Sequence, residues 1–173
     1  INSGVFCLKK DRFQDVVWIG TDGQGVYLYS NPLYSIKSMV LSNYTEKIER
    51  PVRAIYLDDE RTFWVGTKGN GILKIYDYEF DKNISDCRAE VLTTSNSALS
   101  SNAVYCFAKS HRNLLWIGDE EGLTYYSYRE KRIKSIPIRI GNEDFKYIHD
   151  IYETADSELW LASVGMGVVK ARI

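Results

Sequence analysis

Four copies of one short pattern constrain this chain more than anything else in it: WIGTDGQGV from Trp18, WVGTKGNGI from Trp64, WIGDEEGL from Trp116 and WLASVGMGV from Trp160. Together they use every tryptophan in the protein. A Trp-Gly core that returns about every 45 residues marks a repeat architecture, in which each unit buries its apolar face only by stacking on a neighbour. Around each copy lie short runs of β-branched and aromatic residues separated by Gly, Asp and Asn. Runs of about five to eight such residues read as antiparallel strands, not helices.

The first unit comprises GVFCLKK, DVVWIGT, GVYLYS and YSIKSM; the second PVRAIYLD, TFWVGT, GILKIYD and, after an acidic and polar insertion, AEVLTTS. The third runs from LSSNAVYCFAKS through LLWIGD and GLTYYSY to RIKSIPIRI, and the fourth ends after three strands, YIHDIYET, ELWLAS and GVVKARI. Gly23 and Gly25 make the second and third strands a hairpin, because glycine takes positive backbone dihedrals cheaply. A phosphate-cradling loop would need a following helix, and none follows. The first strands align as Val5-Phe6-Cys7-Leu8, Val52-Arg53-Ala54-Ile55, Val104-Tyr105-Cys106-Phe107 and Ile148-His149-Asp150-Ile151. Apolar residues at non-alternating positions predict strands buried on both faces. Four-stranded antiparallel units stacked radially are the blades of a β-propeller. The expected fold is therefore all-β, about three and three-quarter blades over residues 4–45, 50–96, 99–141 and 146–173, in one partial propeller of residues 1–173. In it Trp18, Trp64, Trp116 and Trp160 pack between blades, with Gly20, Gly66 and Gly118 as the accompanying structural glycines.

Composition narrows the functions. An apolar fraction of 45% suits a sizeable core, and a formal charge of −1 lacks the positive surplus that phosphate binding favours. Nucleic acid is not an expected partner, and with no long apolar run the segment has no expected direct membrane contact. The chain starts at Ile1 without a secretory leader and reads as a segment of a longer polypeptide. The three cysteines lack zinc-ligand spacing. Cys7 and Cys106 share one repeat position, held elsewhere by Ala54 and Asp150, and are expected to be small buried residues; Cys87, in the extra segment, is expected to be exposed.

The pattern V-x-x-[IF], a polar turn, [LF]-W-[IV]-G-T, a glycine hairpin and [LIV] resembles the two-component regulator propeller repeat, most closely from Leu99 to Tyr128. That resemblance implies the periplasmic sensor region of a Bacteroides-type hybrid two-component histidine kinase, whose usual stimulus is a carbohydrate breakdown product. Such propellers close with about seven blades, so the resemblance leaves three possibilities: an open arc, association of chains, or tight closure of four blades. Two repeats depart from the pattern, with Asp119 in place of threonine and Ala162-Ser163 in place of Gly-Thr.

Ligands of propellers commonly sit at the face carrying the entries to the inner strands and the hairpins between second and third strands. The candidate contacts there are Arg50, Arg53, Asn102, Tyr147 and His149 near the axis, with Asp22, Lys68 and Asn70 from the hairpins. Such a lining suits an oligosaccharide, whose hydroxyls exchange hydrogen bonds while its C–H faces cover aromatic rings. No cofactor or metal is expected. The acidic run Asp119, Glu120 and Glu121 reads as solvated before it reads as a calcium site. Of the two histidines, His111 lies in a polar turn, and His149 neighbours Asp150 along a strand, where side chains alternate faces. The expected function is a non-catalytic sensor or ligand-binding module that signals through packing against other blades or a second copy of the chain. The rivals are a protein-binding scaffold and an enzyme like the streptogramin lyases, whose Trp-containing repeats look similar.

Overall fold

The computed structural model describes residues 1–30, 35–39, 50–78 and 86–173. All regular elements among them of any length are strands, grouped in two compact units, Ile1–Leu92 and Thr93–Ile173. None of the described residues forms a helix long and apolar enough to cross a membrane.

The first unit holds two four-stranded antiparallel sheets. One orders β1 (Val5–Lys10), β2 (Val16–Thr21), β3 (Val26–Ser30) and β4 (Ser35–Met39) consecutively. The other orders β5 (Val52–Leu57), β6 (Phe63–Thr67), β7 (Ile72–Ile75) and β8 (Ala89–Leu92) in the same way. Their facing sides share one core: Val16, Trp18, Val26 and Leu28 from the first sheet meet Ile55, Leu57, Phe63, Val65 and Leu73 from the second. Trp18 is fully buried, its ring centroid 4.3 Å from Phe63 and 5.1 Å from Tyr78. Burial of such a side chain contributes on the order of a few kcal/mol.

The second unit repeats the plan with β9 (Val104–Lys109), β10 (Leu114–Asp119), β11 (Leu123–Ser127) and β12 (Arg132–Ile136). A two-stranded ribbon, β13 (Arg139–Ile140) and β14 (Glu143–Asp144), precedes a three-stranded sheet of β15 (Ile148–Glu153), β16 (Glu158–Ser163) and β17 (Gly167–Arg172). Trp116 packs in the core between these sheets with Phe145, Ile148, Ile151, Leu159 and Leu161.

Three expectations need correction. Trp160 does not pack between blades: no described sheet covers its face, and it is 43% exposed, as Tyr152 and Val168 beside it are also exposed. Strand β1 is not buried on both faces, and its Leu8 is 64% exposed. Cys87 is not exposed; it joins the core of the first unit, while Cys7 and Cys106 are half-buried.

The repeated glycine has a steric cause. It stands opposite the small inner-strand residue, as Gly20 opposite Cys7, Gly66 opposite Ala54 and Gly118 opposite Cys106. A Cβ at Gly20 would lie 2.5 Å from Cys7 Sγ, and one at Gly118 would lie 2.5 Å from both Cys106 Sγ and the Ile148 carbonyl oxygen. The inner strand of the following sheet thus comes up against a bare backbone. Ala162 fills the equivalent place in the last sheet, opposite Asp150.

Candidate functional site

Each inner strand carries a register slip at its second residue. Pairing of β1 with β2 passes from Val5↔Thr21 to Cys7↔Gly20 and leaves out Phe6. In the same way β5 leaves out Arg53, β9 Tyr105 and β15 His149. Such bulges take one side chain out of the alternation and re-aim it. Within each unit the two re-aimed side chains meet: the Arg53 guanidinium lies over the Phe6 ring at 3.6 Å, and His149 stacks on Tyr105 with centroids 4.2 Å apart and planes 19° apart.

A second recurrent bond sets the hairpins beside these bulges. The N–H just beyond each second strand donates to the carbonyl just before its inner strand: Asp22 to Gly4 and Lys68 to Pro51 at 2.9 Å, Glu120 to Ala103 at 3.0 Å, Val164 to Tyr147 at 3.2 Å. Hairpin and inner-strand entry therefore form one rim in every sheet. The glycine dihedrals expected from sequence are present, with φ of 83° at Gly23 and 77° at Gly25.

In the first unit Asp22 and Lys68 are exposed on their hairpins. Arg50 lies along the second hairpin, its Cγ and Nε 3.6 and 3.8 Å from where a Cβ of Gly69 would stand. The Asn70 N–H donates to Thr67 Oγ1 at 2.9 Å, while Asn70 Oδ1 is buried without a donor and Arg53 Nε buried without an acceptor. In the second unit Tyr147 is exposed at the rim with φ of 56°, a strained setting for an aromatic residue. Its N–H donates to the Glu120 carbonyl at 3.0 Å. Asn102 is engaged otherwise: its Oδ1 accepts the Thr94 N–H at 2.9 Å, which fixes the loop before β9.

The acidic run is not uniformly solvated. Asp119 is fully buried; its Oδ1 accepts the N–H groups of Glu121 and Gly122, and its Oδ2 accepts the hydroxyls of Ser100 at 2.6 Å and Thr124 at 2.9 Å. Burial raises its pKa above the ordinary carboxylate value, and these hydrogen bonds oppose the rise without cancelling it. Glu121 pairs with Lys146 at 2.6 Å, which holds that amine above its usual value. Among the described residues no three His, Cys, Asp or Glu side chains converge as metal ligands. Burial pushes the Cys7 thiol up to about 11 and Cys106 higher still, so neither supplies a thiolate at neutral pH.

Sequence reasoning missed Phe6 and Tyr105, the aromatic halves of the two stacked pairs. Their signal was present: both occupy the second place of the aligned quartets, beside Arg53 and His149.

No family model matches the chain. It is 31% identical over 140 residues to translation initiation factor 6 of Saccharolobus solfataricus, an alignment covering 73% of this chain and 57% of that protein, so the chain spans little more than half of that relative. Among solved structures it is similar to the extracellular domain named for the hybrid two component system BT3049 of B. thetaiotaomicron, with a TM-score of 0.72, 23% identity, and coverage of 97% of this chain and 21% of that one. It is also similar to streptogramin B lyase, with a TM-score of 0.66, 11% identity, and coverage of 99% and 55%. At such identities the likeness speaks for the fold. The chain is built of antiparallel β-propeller blades, and among the described residues three have four strands and one has three.

Proposed function

We propose that this chain is a non-catalytic, extracytoplasmic sensor segment of a hybrid two-component histidine kinase, and that it takes an oligosaccharide at the rim of its blades. The observation that carries this reading is the bulge shared by all four inner strands, which brings a ring and a nitrogen-bearing side chain together in each unit. Phe6, Tyr105 and Tyr147 offer apolar ring faces for sugar C–H groups, and Arg50, Arg53, Lys68, Asn70 and His149 offer groups for hydroxyls. The nearness in fold to a sensor's extracellular domain supports the reading. The near-neutral charge of −1 gives no support to a nucleic-acid partner.

Signal in this reading passes through the open blade faces. Tyr152, Trp160 and Val168 on the last sheet and Val5 and Leu8 on the first are exposed apolar residues that a further blade or a second copy of the chain would cover. A ligand acts by binding one packing arrangement better than another. The same faces favour a second reading, a scaffold whose partner is a protein. Glycan-array screening of the chain followed by calorimetry separates the two. Saturable oligosaccharide binding that weakens in Phe6→Ala and His149→Ala supports the sensor. Absence of any glycan binding, with capture of a partner that Trp160→Ala abolishes, overturns it in favour of the scaffold.

A further inference from the structure

Among the described residues the two rims differ in charge, and the cations of the first have no counter-charge within ion-pair distance. Arg50, Arg53 and Lys68 lie within one stretch of rim: the Lys68 N–H bonds to Pro51, between the two arginines in sequence, and Arg50 runs along Gly69. Among the described residues none of the three cations has a carboxylate within ion-pair distance. Asp22, on the neighbouring hairpin, is exposed and is the acidic side chain of this rim among the described residues. In the second unit the balance is reversed. Lys146 is engaged by Glu121 at 2.6 Å, and Glu120 and the buried Asp119 sit on the same hairpin.

Arg53 is the most specific of the three. Its guanidinium carbon lies 3.6 Å from the centre of the Phe6 ring, and its Nε is buried without an acceptor. A planar fork with unused donors matches an oxyanion, and a buried donor left unpaired is costly. Neutral hydroxyls would satisfy such donors one at a time; a carboxylate or sulfate takes two together and is drawn by the charge of Arg50 and Lys68 as well.

We infer that the rim of the first unit selects an acidic sugar, one whose carboxylate or sulfate is held by Arg53 and flanked by Arg50 and Lys68 while the sugar ring lies against Phe6. This inference rests on the reading of the rim as a ligand site and names the ligand class for it.

The test is calorimetry of the whole chain against matched oligosaccharide pairs: oligogalacturonides and their carboxyl-reduced forms, and heparin oligosaccharides and their desulfated forms. At least one acidic member is expected to bind at least ten-fold tighter than its neutral counterpart, with affinity falling as salt rises. The pair that shows the difference identifies carboxylate or sulfate as the group recognised. Arg53→Gln and Lys68→Gln are expected to lose that preference, and Lys68, exposed on its hairpin, gives a variant that folds whatever Arg53→Gln does. Equal binding of neutral and acidic members, or an unchanged preference in Lys68→Gln and Arg50→Gln together, overturns the inference and leaves the sensor reading standing. No binding of any oligosaccharide overturns both.

Discussion

Glu153 in β15 accepts the indole N–H of Trp116 in β10 at 3.0 Å, a hydrogen bond that ties the last sheet to the one before it. Trp18 and Trp64 find their acceptors within their own sheets, Asp11 and Asp58, each at 2.9 Å. Those aspartates stand at the turn between first and second strands, where their other oxygen accepts backbone N–H groups. Ser110 takes that turn position in the third sheet and caps the turn through Arg112 N–H, but its hydroxyl is too short to reach the indole. The acceptor is therefore borrowed from the next blade.

The borrowed carboxylate makes stability depend on pH. Burial pushes the Glu153 pKa upward, but hydrogen bonds from Ser110, Trp116 and the His111 backbone, with the charge of Arg112, outweigh it and hold the group below its ordinary value. A carboxyl whose folded pKa is depressed stabilises the fold above its unfolded pKa, and that contribution is lost as pH falls through the folded value. Glu153→Gln is expected to cost about 1–3 kcal/mol at pH 7, the range for disturbing buried hydrogen bonds to a charged group. Urea denaturation at pH 7 and at successively lower pH should show the gap from the parent protein narrowing in acid. A gap that is constant with pH would mean that the carboxylate charge contributes nothing.

Asp119 provides the opposite sign. Its folded pKa is raised by burial, so the native state gains stability relative to the unfolded chain as pH falls through that value toward the unfolded pKa. Replacing it with the threonine that Thr21 and Thr67 represent in the first two hairpins does not restore the repeat. Those threonines donate a hydroxyl to the carbonyls of Gly25 and Gly71 at 2.8 Å, whereas Asp119 accepts two N–H groups and two hydroxyls. Asp119→Thr should lower stability by about 1–3 kcal/mol because it strands buried donors. Asp119→Asn keeps one oxygen for the N–H groups, lets the hydroxyls reverse, and should cost less. Thermal melts of the two variants in parallel decide the order, and equal losses would reject this account of the hairpin.

Much of the architecture could be read from the chain because the Trp-Gly repeat marks the second strand and the hairpin of each blade directly. The bulges could not be read in that way, although their trace was in the quartets. An extra residue at the second place puts the first and fourth on one face, which is why Val52 and Ile55 share a core, as do Ile148 and Ile151. The same spacing also fits a strand buried on both faces, and periodicity alone does not separate the two. Cys87 escaped because the core of the first unit that it joins is assembled from several strands and cannot be read from the polar segment around it. Asp119 looked solvated because a sequence shows three acids in a row and not the hydroxyls that Ser100 and Thr124 bring to one of them.

The glycine opposite each small inner-strand residue yields a prediction that distinguishes two kinds of crowding. Gly20→Ala would meet Cys7 Sγ at 2.5 Å, with Val52 Cγ1 at 3.3 Å and its carbonyl oxygen at 3.7 Å. Gly118→Ala would meet Cys106 Sγ and also the backbone oxygen of Ile148, both at 2.5 Å. Each substitution is expected to destabilise by about 1–3 kcal/mol, the range for overpacking. Adding Cys7→Ala should recover most of the loss at Gly20, since the Ala54–Gly66 pair shows that alanine fits the inner-strand place. Adding Cys106→Ala should recover little at Gly118, because the strand of the next sheet still stands in the way. A full rescue at both positions would mean that the glycine accommodates the thiol and not the neighbouring blade.

The four tryptophans should separate by environment despite their identical place in the repeat. Trp18 is fully buried in the core, with Phe63 and Tyr78 against its ring and Asp11 on its nitrogen. Trp160 has one face open and a Lys170 ammonium 5.7 Å from its ring. Trp18→Ala is expected to cost about 3–5 kcal/mol, as for large aromatic residues removed from a core. Trp160→Ala should cost less than about 1 kcal/mol in the isolated chain, where little apolar area is lost from contact. Intrinsic fluorescence provides a second reading: Trp160 should be the tryptophan quenched by acrylamide, and its quenching should fall if a second copy or a further blade covers the last sheet. Denaturation and quenching measured across a range of protein concentrations test both points together. A large, concentration-independent loss on Trp160→Ala would show that its face is already part of a core.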